Sequence, residues 1–229
     1  MQITKETQEL LTSFTQINPS ILIKSGNEVS TISPAKNILA QAEIDEDFEH
    51  DVCIYDLGQF LGITKQDIFE GADYKFNESS VKITKNENSV IYNYAAPNTI
   101  ILPPDKTPAM PDAEVTVELN EATLRNVTNM ANVLGKDDIS INSDGNKIFI
   151  SVIDKSDSSS NVFSSELDNG DGSVYKMYFK KESLKILSGT YTVKLSKQFI
   201  SYWEHEDGDL VYWIALEQDS EYKNPAEDY

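Results

Sequence analysis

Two hydrophobic periods alternate along this chain. Thr7, Leu10, Leu11, Phe14 and Ile17 recur at three-and-four spacing, with Lys5, Glu9, Thr12 and Gln16 opposite them, which predicts a helix from an N-cap at Thr4 to about Ile17. After Asn18-Pro19 the period shortens toward two, predicting strands over 20–25, 28–33 and 38–44, the first pair turned at Ser25-Gly26-Asn27. The β-favouring run Val52, Cys53, Ile54, Tyr55 then leads straight into a helical face of Leu57, Phe60, Leu61 and Ile63. Strands are predicted again at 73–76, 81–84 and 89–94.

The second half replays this order. A strand over 115–119 leads into a helix over 120–134, with Leu124, Val127, Met130, Ala131 and Leu134 inward. Strands at 138–143 and 147–153 flank the turn Asp144-Gly145-Asn146, and another centres on Val162 and Phe163. The strand Val174 to Phe179 runs into a second predicted helix, 180–187, whose inner face is Leu184 and Leu187. Strands at 191–195, 199–205 and 210–216 close the chain. Between the halves, residues 95–111 hold five of the eight prolines, and proline removes backbone donors and fixes φ. The reading is therefore α+β: a first domain 1–94, an extended connector 95–111 and a second domain 112–229, each domain with two helices on antiparallel sheet.

Composition narrows the function more than it identifies it. With 38 acidic and 19 basic residues the formal charge is −19, which disfavours a tight nucleic-acid grip but leaves room for a local basic surface inside an acidic shell. The acidic stretch 45–51 is expected to be a solvated turn, and Asp168-Asn169-Gly170-Asp171-Gly172 lacks the ligand-spaced Glu of a calcium loop, so no metal is expected. The single cysteine, Cys53, lies among Val52 and Ile54 as a packing side chain, far from any nucleophile motif. No phosphate-binding glycine loop, nucleophile elbow or zinc motif occurs, and the expectation is a non-enzymatic protein without cofactors. No signal-like or membrane-length apolar run is present, which suggests a soluble intracellular protein.

Duplication by itself carries no function. The specific residues do more: Asp51-Val52-Cys53-Ile54-Tyr55-Asp56-Leu57 with Phe60-Leu61-Gly62-Ile63, the opening Leu10-Leu11 with Phe14, Ile17 and Asn18, and the closing Ala215-Leu216-Glu217 with Asp219-Ser220. Together these resemble the sliding clamps, the DNA polymerase processivity factors, of T-even-like bacteriophages. The resemblance is strongest over the first 63 residues and near the C-terminus, and weakest from about Lys136 to Tyr175.

It implies a DNA-clamp fold closing head to tail into a homotrimeric ring around duplex DNA, without sequence reading, in the cytoplasm of an infected bacterium. The implied partners are the phage DNA polymerase and an ATP-dependent clamp loader, with no membrane. A β-rich phage structural or adhesin-like protein is the alternative; amphipathic helices at repeated positions argue against it.

On that basis the candidate DNA-facing cations are Lys5 and Lys65 in the first half and Arg125, Lys136, Lys180, Lys181 and Lys185 in the second. Arg125, Asn129, Asn132 and Lys136 form a polar helical stripe, and Lys181 and Lys185 align at i, i+4. Subunits are expected to meet through strand edges carrying Ile91 and Tyr92 on one copy and Val162 and Phe163 on the next. A groove for hydrophobic partner peptides is expected at Ile100, Ile101 and Leu102, walled by Ile214 and Leu216.

Overall fold

The computed structural model describes residues 1–224. It divides into two compact units, Met1–Thr107 and Pro108–Tyr229; the end of the second, residues 225–229, lies outside the described part.

In the first unit, helix α1 spans Lys5–Phe14. The Thr4 hydroxyl accepts from the Thr7 amide at 3.2 Å, satisfying one of the donors a helix start leaves open, while Thr7, Leu10, Leu11 and Phe14 turn inward. The helix ends three residues earlier than expected. Ser13 and Thr15 hydroxyls bond back to the carbonyls of Leu10 and Thr12, and the Ile17 and Asn18 amides both close on Phe14, so the chain tightens into turns before Pro19.

Strands β1 (Ile21–Ile23) and β4 (Val52–Ile54) pair antiparallel, with Leu22 opposite Cys53. Strands β2 (Gly26–Ile32) and β3 (Ile38–Phe48) form a hairpin with Val29 opposite Ala42. The acidic stretch is thus not a solvated turn from Asp45 onward, because β3 continues to Phe48 and alternation turns Glu46 and Phe48 inward. Buried Glu46 accepts from the Thr4 amide and the Thr7 hydroxyl, both at 2.6 Å, and so fastens the start of α1 to β3. Helix α2, Leu57–Thr64, follows β4 at once: Asp56 caps the Gln59 amide at 2.7 Å, and Leu57, Phe60, Leu61 and Thr64 are buried. A three-stranded antiparallel sheet, β5 (Asp73–Phe76), β6 (Ser80–Lys85) and β7 (Asn88–Asn93), completes the unit in the order β5-β6-β7. The first part of the proline-rich stretch groups with this unit, held by Lys24 to Asp105 at 3.3 Å and by the Thr107 hydroxyl to Gln41 at 3.1 Å.

In the second unit, β8 (Val115–Leu119) leads into α3 (Glu121–Leu134), capped by Asn120 on the Thr123 amide. Gly135 ends α3 in the left-handed region at φ +63°, a conformation open to glycine at no steric cost. One antiparallel sheet has the order β11 (Phe163–Asn169), β10 (Lys147–Ile153), β9 (Asp138–Asp144), β12 (Val174–Lys180), β16 (Glu221–Lys223). Strands β15 (Leu210–Ala215), β14 (Ile200–His205), β13 (Tyr191–Ser196) and β8 form a second ladder. Its core centres on fully buried Trp203, edge-on to Phe179 at 5.6 Å and to Tyr191 at 6.1 Å.

The helix predicted over 180–187 is absent. In its place is a four-residue 3-10 turn, Lys181–Leu184, without a side-chain cap. The backbone groups that would extend it are taken by tyrosines: the Tyr212 hydroxyl accepts from the Leu187 amide at 3.1 Å, and the Tyr191 hydroxyl donates to the Leu187 carbonyl at 2.6 Å. Two side-chain bonds, one local and one tertiary, thus take the place of main-chain i to i−4 bonds.

Candidate nucleic-acid interface and assembly edges

The first unit brings two of the expected cations together. Lys5 opens α1 and Lys65 follows α2, helices that pack on each other; both side chains are exposed. They line one groove of about 440 Å³ with Gln8, Gln66, Thr64, Gly71, Ile3 and the acids Asp67 and Glu70. Lys65 Nζ donates to the Thr12 hydroxyl at 2.9 Å, tying α2 to α1, and neither lysine forms an ion pair among the described residues.

The second unit disperses the rest. Lys136 is not on the stripe of α3, because Gly135 turns the chain away and Lys136 Nζ reaches Asp154 at 3.0 Å with only 18% of its side chain exposed. Asp154, which also accepts from the Ser156 hydroxyl at 2.6 Å, has its carboxyl lowered to about 2, first by Ser156 and then by Lys136. Lys180 is held by Asp138 at 2.7 Å with Glu217 at 3.8 Å, and the Asp138 bond raises its pKa. Lys181 pairs with Asp137 at 3.0 Å, and Arg125 has Glu121 one helical turn back at 4.0 Å. Lys185 is exposed and unpaired among the described residues, but it lies beyond the 3-10 turn and does not share a helical face with Lys181. Asn129 and Asn132 are exposed on α3.

The strands expected at an assembly interface are both sheet edges. Strand β7 ends the order β5-β6-β7, and β11 ends the five-stranded sheet. Ile91 projects outward at 60% exposure, and Val162, immediately before β11, at 58%. Tyr92 is already engaged: its ring meets Phe60 edge-on at 5.4 Å and its hydroxyl donates to the Asp56 carbonyl at 3.3 Å. Phe163 is half-buried as the first residue of β11.

The expected peptide groove needs correction. Ile101 and Leu102 are exposed and Ile100 half-buried, but Ile214 is fully buried and Leu216 is 5% exposed. These two residues are core of the second unit and cannot wall an open groove. Sequence reasoning passed over a different groove in that unit, about 350 Å³, lined by Met177, Lys197, Phe199, Ser220, Glu221, Tyr222 and Lys223. Phe199 sits there at φ +62° and 41% exposed, an unfavourable backbone for an aromatic residue. Its signal in the sequence was the turn Ser196-Lys197-Gln198-Phe199, which reads only as a hairpin.

Cys53 is buried in β4 and its burial pushes the thiol up, as a packing role requires. Among the described residues no cluster of His, Cys, Asp and Glu has the arrangement of a metal site, and no helix is long and apolar enough to cross a membrane.

No protein-family model matches the chain. Curated relatives do. The sliding clamp of Enterobacteria phage T4 is 28% identical over 227 residues, covering 96% of this chain and 98% of that protein. The sliding clamps of Vibrio phage KVP40 and Escherichia phage RB69 are 28% and 27% identical, covering 95% and 96% of this chain. Among solved structures, a PCNA2-PCNA3 complex from Sulfolobus tokodaii is similar at a TM-score of 0.67 and 14% identity, covering 94% of this chain and 99% of that one. The sliding clamp of Bartonella birtlesii, a DNA polymerase III subunit beta, is similar at 0.69 and 11% identity, covering 93% of this chain and 63% of that one. The fold is therefore the sliding-clamp fold, and likeness in sequence and in structure runs nearly end to end: the chain is a relative of the sliding clamps of T-even-like bacteriophages.

Proposed function

We infer that this protein is a non-enzymatic sliding clamp, a processivity factor that encircles duplex DNA and tethers a replicative phage polymerase. The observation that carries this reading is likeness to three phage sliding clamps over at least 95% of the chain, on a structure with the clamp fold. Three copies close the ring. The free edges of β7 and β11 support a head-to-tail contact in which β7 of one copy pairs with β11 of the next, placing Ile91 near Val162. An ATP-dependent loader opens and seats the ring, and the protein works in the cytoplasm of the infected bacterium.

Partner tails, from polymerase and loader, are apolar peptides, and the groove at Met177, Phe199 and Tyr222 offers apolar side chains beside Lys197, Glu221 and Lys223. The ring faces DNA through cations that attract phosphate diffusely, without base contacts, so that it can slide.

The test is primer extension on primed circular DNA by a T-even-type polymerase with its loader and ATP. Addition of this protein should lengthen the products made in a single binding event. Unchanged product length, with the protein monomeric in solution, would overturn the reading.

A further inference from the structure

We propose that the attraction between this clamp and DNA is divided unequally: the first unit carries most of it, at the groove between Lys5 and Lys65, while in the second unit Lys136, Lys180 and Lys181 are already neutralised by its own acids. This rests on the clamp reading and goes beyond it, since the duplicated architecture by itself assigns equal roles to both halves.

The argument begins with distances. A lysine with a carboxylate at 3 Å is a dipole whose field has largely cancelled one Debye length away, about 8 Å at physiological salt. Lys136 with Asp154 and Lys181 with Asp137 are such dipoles at 3.0 Å, and Lys180 with Asp138 at 2.7 Å is another. Recruiting any of them to a phosphate would break its short ion pair, and Asp138, its side chain only 14% exposed, would keep only Lys155, whose ammonium is 3.9 Å away. Arg125 is only loosely paired and Lys185 stands alone, and the two lie on different elements.

The first unit is arranged differently. Lys5 and Lys65 share one groove, their ammonium groups have no carboxylate within ion-pair distance among the described residues, and the amides of Gln8 and Gln66 stand beside them as neutral donors. Their supports are rigid. The start of α1, where Lys5 sits, is fixed by buried Glu46, and Lys65 is steered by the Thr12 hydroxyl on α1. Asp67 and Glu70 at the groove margin keep the net field weak, which suits a contact that must be released at each step along the duplex.

The experiment uses the assembled clamp loaded on nicked circular DNA, which is then linearised so that rings escape from the ends, at about 50 and 200 mM salt. Retention on circles and escape from linear DNA test the clamp reading. The salt dependence of the escape rate tests the division of labour. For the parent protein, escape should quicken between the two salt concentrations by about threefold per phosphate contact. The Lys5→Gln, Lys65→Gln double variant should escape quickly at both and lose most of that salt dependence. The Arg125→Gln, Lys185→Gln double variant, whose changed side chains are exposed, should behave as the parent. Equal loss from both doubles, or a larger loss from the second, overturns the proposal while leaving the clamp reading standing. Failure of the parent to be retained on circles overturns both.

Discussion

The two units solve one problem differently at the same point of the repeat. In each, a strand runs directly into a helical segment, but Val52–Ile54, buried throughout, continues as the eight-residue α2 whereas Val174–Lys180, buried at alternate residues, ends in a four-residue 3-10 turn. The first has Asp56 as an N-cap and three large apolar residues, Leu57, Phe60 and Leu61, on its inner face. The second has Lys180 in the cap position, which cannot accept a hydrogen bond, and its next carbonyls and amides meet tyrosine hydroxyls from β13 and β15. A helix needs its own start signal and an unclaimed backbone; where tertiary partners claim the backbone first, apolar spacing alone does not make one. The difference also decides electrostatics. Lys5 and Lys65 in the first unit have no ion pair among the described residues, while Lys180 and Lys181 at the start of the 3-10 turn are drawn into pairs with Asp137, Asp138 and Glu217 and Lys185 at its end is not.

The comparison can be broken most forcefully at the edges. Ile91→Asp in the first unit and Val162→Asp in the second replace outward side chains and should each convert the proposed trimer to monomers, with the monomer's unfolding free energy changed by less than about 0.5 kcal/mol. Light scattering alongside thermal melts reads both quantities, and an intact trimer in both variants would place the interface elsewhere. Tyr92→Asp is a poorer choice, because Tyr92 packs on Phe60 and would disturb α2 itself.

Next in size are the two cores. Trp203→Ala and Phe60→Ala should each cost about 3 to 5 kcal/mol, the first exposing the second unit and the second the first unit to hydrogen exchange. A smaller effect tests the cap: Asp56→Ala should lower stability by about 1 kcal/mol and raise exchange at the α2 amides, leaving the 3-10 turn unaltered.

The smallest expected effect is acid sensitivity. Asp144, Asp154, Asp157 and Asp171, all in the second unit, have carboxyls lowered by hydrogen bonds from neighbouring backbone amides and serine hydroxyls. Because the folded values lie below the ordinary one, the stability they contribute is complete above about pH 4 and is lost as pH falls through the folded values, toward about 2 for Asp154. Denaturation monitored across that range should be flatter in Asp154→Asn than in the parent, and an unchanged acid limb would remove Asp154 from the account.

Much of this was legible from residue pattern. The alternation that predicted the strands at 73–76 and 191–195 answers directly to observed burial, and Thr4 is the expected cap; Asp56 and Asn120, not expected as caps, are caps as well. What was not legible depended on partners distant in sequence. The hydroxyl of Tyr212 claimed the Leu187 amide where a helix was expected, Asp154 claimed Lys136, and the start of α1 claimed Glu46 from a stretch that looks solvated. Strand β16 is three residues long, too short to alternate, and is fixed by pairing Tyr222 with Tyr175. Ile214 and Leu216 show the same limit for the site: hydrophobicity marked them, but only packing shows that they face inward.

The chain's one thiol is buried in β4, so the surface carries no natural thiol among the described residues. Copies therefore have no redox handle on each other, and the ring, as proposed, opens and closes by noncovalent contact alone. Pairing Ile91→Cys with Val162→Cys would create that handle without competition from Cys53. Oxidation should then lock the ring, and a reductant should restore its exchange of subunits.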